Sequence, residues 1–385
     1  MQSRLRTLVF VAVTVLLVGC SSNPSRDAEV PEPLPDLEPR LAVERLWRAR
    51  VGDIQLDSTV RLRASAQGDR MYVANRSGTV SALDLGTGDP LWSHDLDAKL
   101  SGGVGASEGL VLVGSLDGEL FALDAQTGAQ RWQAPLSSEL LSPPAVNYRA
   151  VVALTVDERL HALDPETGTS LWNYDAAVPV LSLRGNGAPV LTDDLAIAGL
   201  GSGKLVAVVL ENGIRAWDVT IAEPEGRSEL ERMIDVDGDP VLSGGLVFAV
   251  AYQGRVGAVD LQGRLRWSRA IPSHLTPAVD LRTLYVVGED GVVHARAKDT
   301  GDERWTQSAL RHRRLSPPTR HGDWLVMADD AGQLFVLDAA SGDLVHHQSL
   351  GGDAILTAPV STDAGLALLD DAGHLQLIHL VPTQQ

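Results

Sequence analysis

The chain has 385 residues, with 50 Asp and Glu against 32 Lys and Arg, a formal charge of −18. That surplus of acid opposes nucleic-acid binding through an electrostatic footprint. A length that would ordinarily divide into two or three domains carries one repeat from about residue 46 to 380. A single closed domain is therefore expected, with no second domain to house separate chemistry.

The first element is a leader. Arg4 and Arg6 precede an apolar run from Leu8 to Val18, which is followed by Gly19-Cys20-Ser21-Ser22. A short basic region, an apolar stretch and a small residue before the break read as a signal peptide over residues 1–19, too short for a spanning helix. Leu17-Val18-Gly19-Cys20 resembles a bacterial lipobox, which makes Cys20, the single cysteine, the expected lipid attachment site. Two or more acyl chains, at about 0.8 kcal/mol per buried CH₂, anchor stably where one would not. No Asp follows the Cys at the position that commonly retains such lipoproteins in the inner membrane, so the resemblance implies the outer membrane, on its periplasmic face. With Cys20 so used, no cysteine remains for a disulfide in that oxidising compartment. Residues 20–40 hold Pro24, Pro31, Pro33, Pro35 and Pro39 among acidic side chains. They read as a semi-extended tether with a reach on the order of 60 Å.

Beyond the tether, a glycine followed four residues later by Trp recurs as Gly88/Trp92, Gly128/Trp132, Gly168/Trp172, Gly213/Trp217, Gly263/Trp267 and Gly301/Trp305. Gly342/His346 keeps the spacing without the Trp, and Trp47 stands alone before the first copy. A period of roughly 40 to 50 residues in a β-rich sequence points to a propeller. The cleanest copy runs through the strand Leu110–Gly114, the turn Asp117-Gly118, a second apolar strand ending in Asp124, the turn Thr127-Gly128 and the strand with Trp132. With a Pro-containing lead strand, each copy makes one four-stranded antiparallel blade. The turn glycines Gly78, Gly118, Gly203, Gly254, Gly291, Gly332 and Gly373, with Glu158 in their place in the third copy, count eight blades. The last copy stops at Leu380 before reaching a Trp of its own, so the strand carrying Trp47 is expected to complete it and close the ring over residues 41–385. The fold class is all-β, an eight-bladed propeller. Each Trp is expected to lie against the neighbouring blade and cover about 150–250 Å², and Trp324, on an inner strand, belongs to the core. Asp84, Asp124, Asp164, Asp260 and Asp338 end a strand where a carboxylate accepts N–H groups of the following turn.

Motifs for chemistry fail on inspection. Gly199-Leu200-Gly201-Ser202-Gly203-Lys204 resembles a phosphate loop, but Ala198 holds the first Gly position, Leu205 replaces the Ser/Thr, and no helix pattern follows. His346-His347 points two rings to opposite faces of a strand, and no metal spacing or nucleophile motif appears. No cofactor or catalytic residue is expected. The breaks in the repeat are more informative. Aligning Pro189 with Pro240 sets Arg184 and Asp235 each five residues ahead, in consecutive blade-to-blade connections that should lie side by side on one face. One connection reads Leu181-Ser182-Leu183-Arg184-Gly185; the other is an insertion from Ala222 to Asp239 ending in Asp235-Val236-Asp237-Gly238-Asp239. Exposed Leu beside Arg, next to a carboxylate pair, has the composition of an interface centre. An internal Arg/Asp pair fixing two loops reads the residues equally well.

From the lipobox through eight Ala-Leu-Asp…Thr-Gly…Trp repeats to the closing strand, the whole chain resembles the BamB family, the propeller lipoproteins of the outer-membrane β-barrel assembly (BAM) machinery. The repeat alone is shared with pyrroloquinoline-quinone dehydrogenases; the lipobox, the size, the Leu-x-Leu-Arg-Gly run and the Asp-x-Asp run narrow the match. The resemblance implies a non-enzymatic scaffold that docks on the periplasmic POTRA domains of BamA through Leu181, Leu183, Arg184, Asp235 and Asp237, and assists folding and insertion of outer-membrane proteins. A further implied partner is the nascent β-barrel itself, held by β-augmentation, although closed blades offer only short edges. The competing readings are a quinone-dependent dehydrogenase, whose relatives usually carry a vicinal cysteine pair that this chain lacks, and a propeller binding cell-wall glycan.

Overall fold

The computed structural model describes residues 30–55, 60–177, 187–223 and 234–383. Pro31–Gln385 form one compact unit, and the described residues contain strands and turns with no helix. Blade 1 is a meander of Ser65–Gln67, Arg70–Ala74, Thr79–Asp84 and Pro90–Asp95, hydrogen-bonded in chain order. The same meander recurs in blade 2 (100–135), blade 3 (145–175), blade 4 (190–220), blade 5 (241–269), blade 6 (278–307) and blade 7 (319–349). Blade 8 takes three strands from residues 360–382 and its outermost, Leu41–Arg50, from the other end of the chain. That last pairing runs antiparallel from Leu41↔Pro382 to Arg50↔His374, as the isolated Trp47 led one to expect. At seven of the eight junctions, including blade 8 with blade 1, the first strands of neighbouring blades lie against one another, so they surround the axis of a closed ring. Blade 2 carries one addition, a fifth strand Arg61–Leu62 that pairs in parallel with its first strand.

The apolar core lies between blades rather than within them. Leu110, Leu112, Leu120 and Trp132 of blade 2 pack on Val151, Ala153 and Leu163 of blade 3, and comparable clusters join the other neighbours. At seven of these junctions an outer-strand Trp reaches the turn of the next blade. The indole Nε1 of Trp47 donates to Leu85 O at 2.9 Å, Trp132 to Pro165 O at 2.9 Å, Trp172 to Leu210 O at 2.7 Å and Trp305 to Ala339 O at 3.0 Å. Trp92, Trp217 and Trp267 do the same to Ala125, Leu261 and Lys298. Each of these tryptophans packs directly on the turn glycine of the next blade. A Cβ on Gly168 would fall 2.6 Å from Trp132, and Gly168 also sits at φ 70°, so only glycine satisfies both constraints. A β-bulge precedes the Trp in its strand, as between Arg45 and Trp47, and leaves the bulged residue outside; this accounts for the exposed Leu46, Leu91 and Leu171.

The turn itself is braced as expected. Asp124 Oδ1 accepts the N–H groups of Gln126 and Thr127 at 3.0 and 2.8 Å, and Asp84, Asp164 and Asp338 repeat the pattern. The copy without a Trp has a structural reason. His346 faces blade 8, whose third and fourth strands come from opposite chain ends, so no Thr-Gly turn exists there to receive an indole. Trp324 is partly buried at this same junction.

Residues 31–40 differ from a free tether. Glu32 N donates to Arg311 O at 3.2 Å, Arg313 donates to Glu32 O at 3.1 Å, and Arg40 N donates to Val345 O at 3.4 Å. Leu34 and Leu37 pack against the core between blades 6 and 7. Two leucines among the prolines give the segment enough apolar surface to lie on the ring.

Trp132→Ala is expected to cost about 3–5 kcal/mol, and Gly168→Ala more than about 1 kcal/mol because the left-handed turn rejects a Cβ. Equilibrium urea unfolding should show both as lowered midpoints; a wild-type midpoint for Gly168→Ala would mean that the indole can retreat from the turn.

Candidate functional site

The connection from blade 4 to blade 5 is described again from Ile234. Ile234 and Val236 are buried against Leu205, Val247 and Ala249, wedged between the two blades. Val236 N donates to Leu200 O at 3.2 Å, and Asp235 O accepts from Tyr252 N at 2.9 Å. A Cβ on Gly199 would lie 2.4 Å from Val236, so that glycine admits the close approach of the connection. Alternation then turns Asp235 and Asp237 to the other side of this stretch, yet neither reaches solvent: they are 1% and 4% exposed. Leu181, Leu183 and Arg184 lie outside the described residues, as do Cys20 and most of the insertion from 222 to 239. The expected adjacency of Arg184 and Asp235 therefore has one described member, and that member is buried.

Sequence reasoning noted Glu158 only as a departure from the turn glycine. The structure gives it a role. It holds φ 62°, the left-handed conformation the glycines adopt elsewhere, is 2% exposed, and its carboxylate reaches across to blade 4 to accept Gly201 N at 3.1 and 3.2 Å. The run from Gly199 to Lys204 is thus a strand-to-strand turn already occupied by a protein carboxylate, with Lys204 Nζ committed to Asp218 at 2.9 Å. Burial pushes the Glu158 carboxyl up to about 7, the Gly201 N–H pulls against it, and Asp235 and Asp157 push it further. Asp237 is driven up to about 8 by burial, with Arg61 opposing and Asp235, Glu158 and Glu289 adding to the rise. Three carboxyls, Glu158, Asp235 and Asp237, consequently form a buried acidic group beside the connection.

Asp353, Asp370 and His374 bring three metal-capable atoms within 4.8 Å of one another, a grouping that their spacing did not announce. Their atoms already serve one another: Asp370 accepts from His374 N at 2.7 Å and lies 3.1 Å from its Nδ1, and Arg48 pairs with Asp370 at 3.6 Å. The arrangement braces the turn of blade 8 just beneath the closing strand.

The family model described as outer membrane protein assembly factor BamB matches residues 43–100, 76–307 and 289–380. The chain belongs to the BamB family. It is 46% identical over 366 residues to the outer membrane protein assembly factor BamB of Pseudomonas aeruginosa, covering 95% of this chain and 96% of that protein. The BamB of Escherichia coli K12 is 36% identical over 380 residues, 96% and 97% of the two chains. The crystal structure of BamB from Moraxella catarrhalis superposes with a TM-score of 0.77 at 25% identity, over 86% of this chain and all of that one. Quinohemoprotein alcohol dehydrogenase from Comamonas testosteroni shares the fold, with a TM-score of 0.67 at 14% identity. The BamB relatives are named for assembly and not for an enzymatic reaction, which sets the dehydrogenase reading aside.

The two raised carboxyls make stability depend on pH. Each is an acid whose folded pKa lies above its unfolded value, so the native state holds extra protons and loses stability as pH rises from about 4 through about 8. Differential scanning calorimetry at pH 5, 7 and 9 should show a falling midpoint for the wild type, a flatter profile for Glu158→Gln and Asp237→Asn, and at pH 9 both variants melting above wild type.

Proposed function

We propose that the chain is a non-enzymatic scaffold of the BAM complex that docks on the POTRA domains of BamA and assists the folding and insertion of outer-membrane β-barrel proteins. The observation that carries this reading is the extent of the likeness to BamB: the family model spans the repeats from residue 43 to 380, and the relatives from Pseudomonas aeruginosa and Escherichia coli match 95% and 96% of this chain. Leu181, Leu183 and Arg184 supply the docking contact. Asp235 and Asp237, being buried, act by fixing the path of the neighbouring connection and not by touching the partner. A buried acidic pair that shapes a loop is consistent with the interface reading and with the internal one, because a docking surface needs a rigid base.

The proposed location is the periplasmic face of the outer membrane, held by lipid on Cys20. Since residues 31–40 lie along blades 6 and 7, the chain between anchor and ring is only Ser21 to Val30, a contour of about 30 Å and half the reach expected from the prolines. That length still clears the headgroups while keeping the ring close to the membrane surface.

Two outcomes check the proposal. The chain from Ser21 onward should bind purified POTRA domains of its own BamA, and Arg184→Glu should weaken binding at least tenfold with an unchanged circular dichroism spectrum; equal binding by both would misplace the surface, and no binding by either would remove the partner. Cys20→Ala should move the protein from the outer-membrane fraction to the soluble periplasmic fraction, and continued membrane sedimentation would exclude the lipid anchor as the main attachment.

A further inference from the structure

The blade-to-blade connections meet at the axis. A cavity of about 370 Å³ there is lined from six junctions: Val60 to Arg63 ahead of blade 1, Leu141 to Pro143 between blades 2 and 3, Asp237 and Asp239 between 4 and 5, His274 to Thr276 between 5 and 6, Arg314 to Pro317 between 6 and 7, and Leu356 to Ala358 between 7 and 8. Only the centre of the ring is reached from so many blades. Arg314 and His274 are solvent-exposed, so the cavity communicates with bulk water. Its volume falls in the range of small-molecule sites, roughly 300–1,000 Å³.

The charge in this cavity runs against the rest of the protein. In a chain of net charge −18, the lining holds Arg61, Arg63 and Arg314. Asp239 pairs with Arg63 and also accepts Ala188 N at 2.7 Å, so that pair is neutralised within the fold. The guanidiniums of Arg61 and Arg314 have no hydrogen-bond or ion-pair partner among the described residues. Asp237 is 4% exposed, lines the cavity, and its Oδ1 has no hydrogen-bond partner among the described residues. Protein covers that oxygen, which leaves the other carboxyl oxygen of Asp237 as the one that can meet a group bound in the cavity. Leu62, Leu275 and Leu315 supply apolar wall between the polar groups.

We infer that this axial cavity is a binding site for a small organic carboxylate, whose acidic groups are held by Arg61 and Arg314 and whose apolar body lies against the leucines, with Asp237 donating a hydrogen bond. Guanidiniums present forked donors that match a carboxylate. Asp237 serves as a donor because it keeps its proton: burial raises its carboxyl to about 8, with Asp235, Glu158 and Glu289 adding to the rise and Arg61 opposing it. Lining a recess at the axis, His274 loses part of its hydration, and with Arg61 and Arg314 alongside it is held below its ordinary pKa, so it adds a neutral polar group to the wall. With Asp239 cancelling Arg63, two positive charges remain uncompensated while Asp237 is neutral. When Asp237 ionises, it turns from donor to repelling charge. The site shares Asp237 with the connection beneath the proposed docking surface, but Arg61 and Arg314 lie outside that connection, so their variants test the cavity separately.

The test is isothermal titration calorimetry on the full chain in detergent, with benzene-1,3-dicarboxylate as probe and benzene-1,3-dicarboxamide and inorganic phosphate as controls. The expected result is saturable one-to-one binding of the dicarboxylate at pH 7, weakened at least tenfold by Arg61→Gln and by Arg314→Gln, with the diamide not binding. Affinity should fall above pH 8, approaching tenfold per pH unit as the competent protonated fraction shrinks, and Asp237→Asn should abolish that fall. Arg314 is exposed, so Arg314→Gln keeps the test usable even if a change at Asp237 disturbs folding. The inference is overturned by absence of saturable binding, by binding that both arginine variants leave unchanged, or by equal binding of the diamide. Phosphate binding as tightly as the dicarboxylate would also overturn it, since the site would then select charge alone.

Discussion

An indole lying on the turn glycine of the next blade, with its N–H donated to a carbonyl of that turn, is the contact from which this molecule is built. A four-stranded blade alone leaves two apolar faces open, and no blade has a core of its own. Stacking neighbours closes those faces, but apolar contact is non-directional and would tolerate sliding. The Nε1 bond fixes the register between blades, as with Trp172 on Leu210 at 2.7 Å. The glycine permits the approach, since a Cβ there would overlap the indole. The bulge before each Trp turns it from the strand's outer face toward that neighbour. Each part of the repeated phrase therefore answers to one geometric demand of the same junction.

Closure follows from the same economy of parts. Blade 8 draws on both chain ends, and Leu41–Arg50 pairs along its whole length with His374–Pro382. Trp47 then binds the Leu85 carbonyl of blade 1, so the first strand of the chain completes one blade and fastens the next. The junction between blades 7 and 8 cannot use the indole device because the receiving turn is replaced by two chain ends; Val326, Val336, Val345 and Leu366 pack there instead, with His346 at the Trp position. Arg40 and Thr383 exchange contacts at the seam, Thr383 N donating to Arg40 O at 3.0 Å. The leading segment continues from this seam along blades 6 and 7, which ties the start of the ring to its far side.

With the scaffold fixed by outer strands and turns, the connections at the other end of each blade are free to differ, and there the unusual chemistry collects. Glu158 substitutes a buried carboxylate for a glycine and spans from blade 3 to blade 4. Asp235 and Asp237 follow one junction later, also buried. Arg61 and Arg314 reach the axis from other junctions, ahead of blade 1 and between blades 6 and 7. Burial pushes Glu158 up to about 7 and Asp237 up to about 8, so this end of the ring responds to pH near neutrality. Asp124, held to about 2 first by Arg131 and then by the turn N–H groups, illustrates the contrast.

The repeat period, the number of blades, the seven Trp contacts and the closing role of Trp47 could all be read from the chain, because each depends on residues within one copy or on a copy missing its last piece. The turn-bracing role of Asp84 and its counterparts was equally legible, being local. The burial of Asp235 and Asp237 was not: alternation shows which residues share a side of a strand, but not that the far side of this connection faces the interior of a ring. Leu34 and Leu37 were hidden in a proline-rich stretch whose composition suggests a free tether, because the groove that receives them is made by blades nearly three hundred residues away. The axial meeting of Arg61, Asp237 and Arg314 had no sequence trace at all. Local spacing determined the blades; the closure of the ring, which brings every connection to one axis whatever its place in the chain, decided what those blades surround.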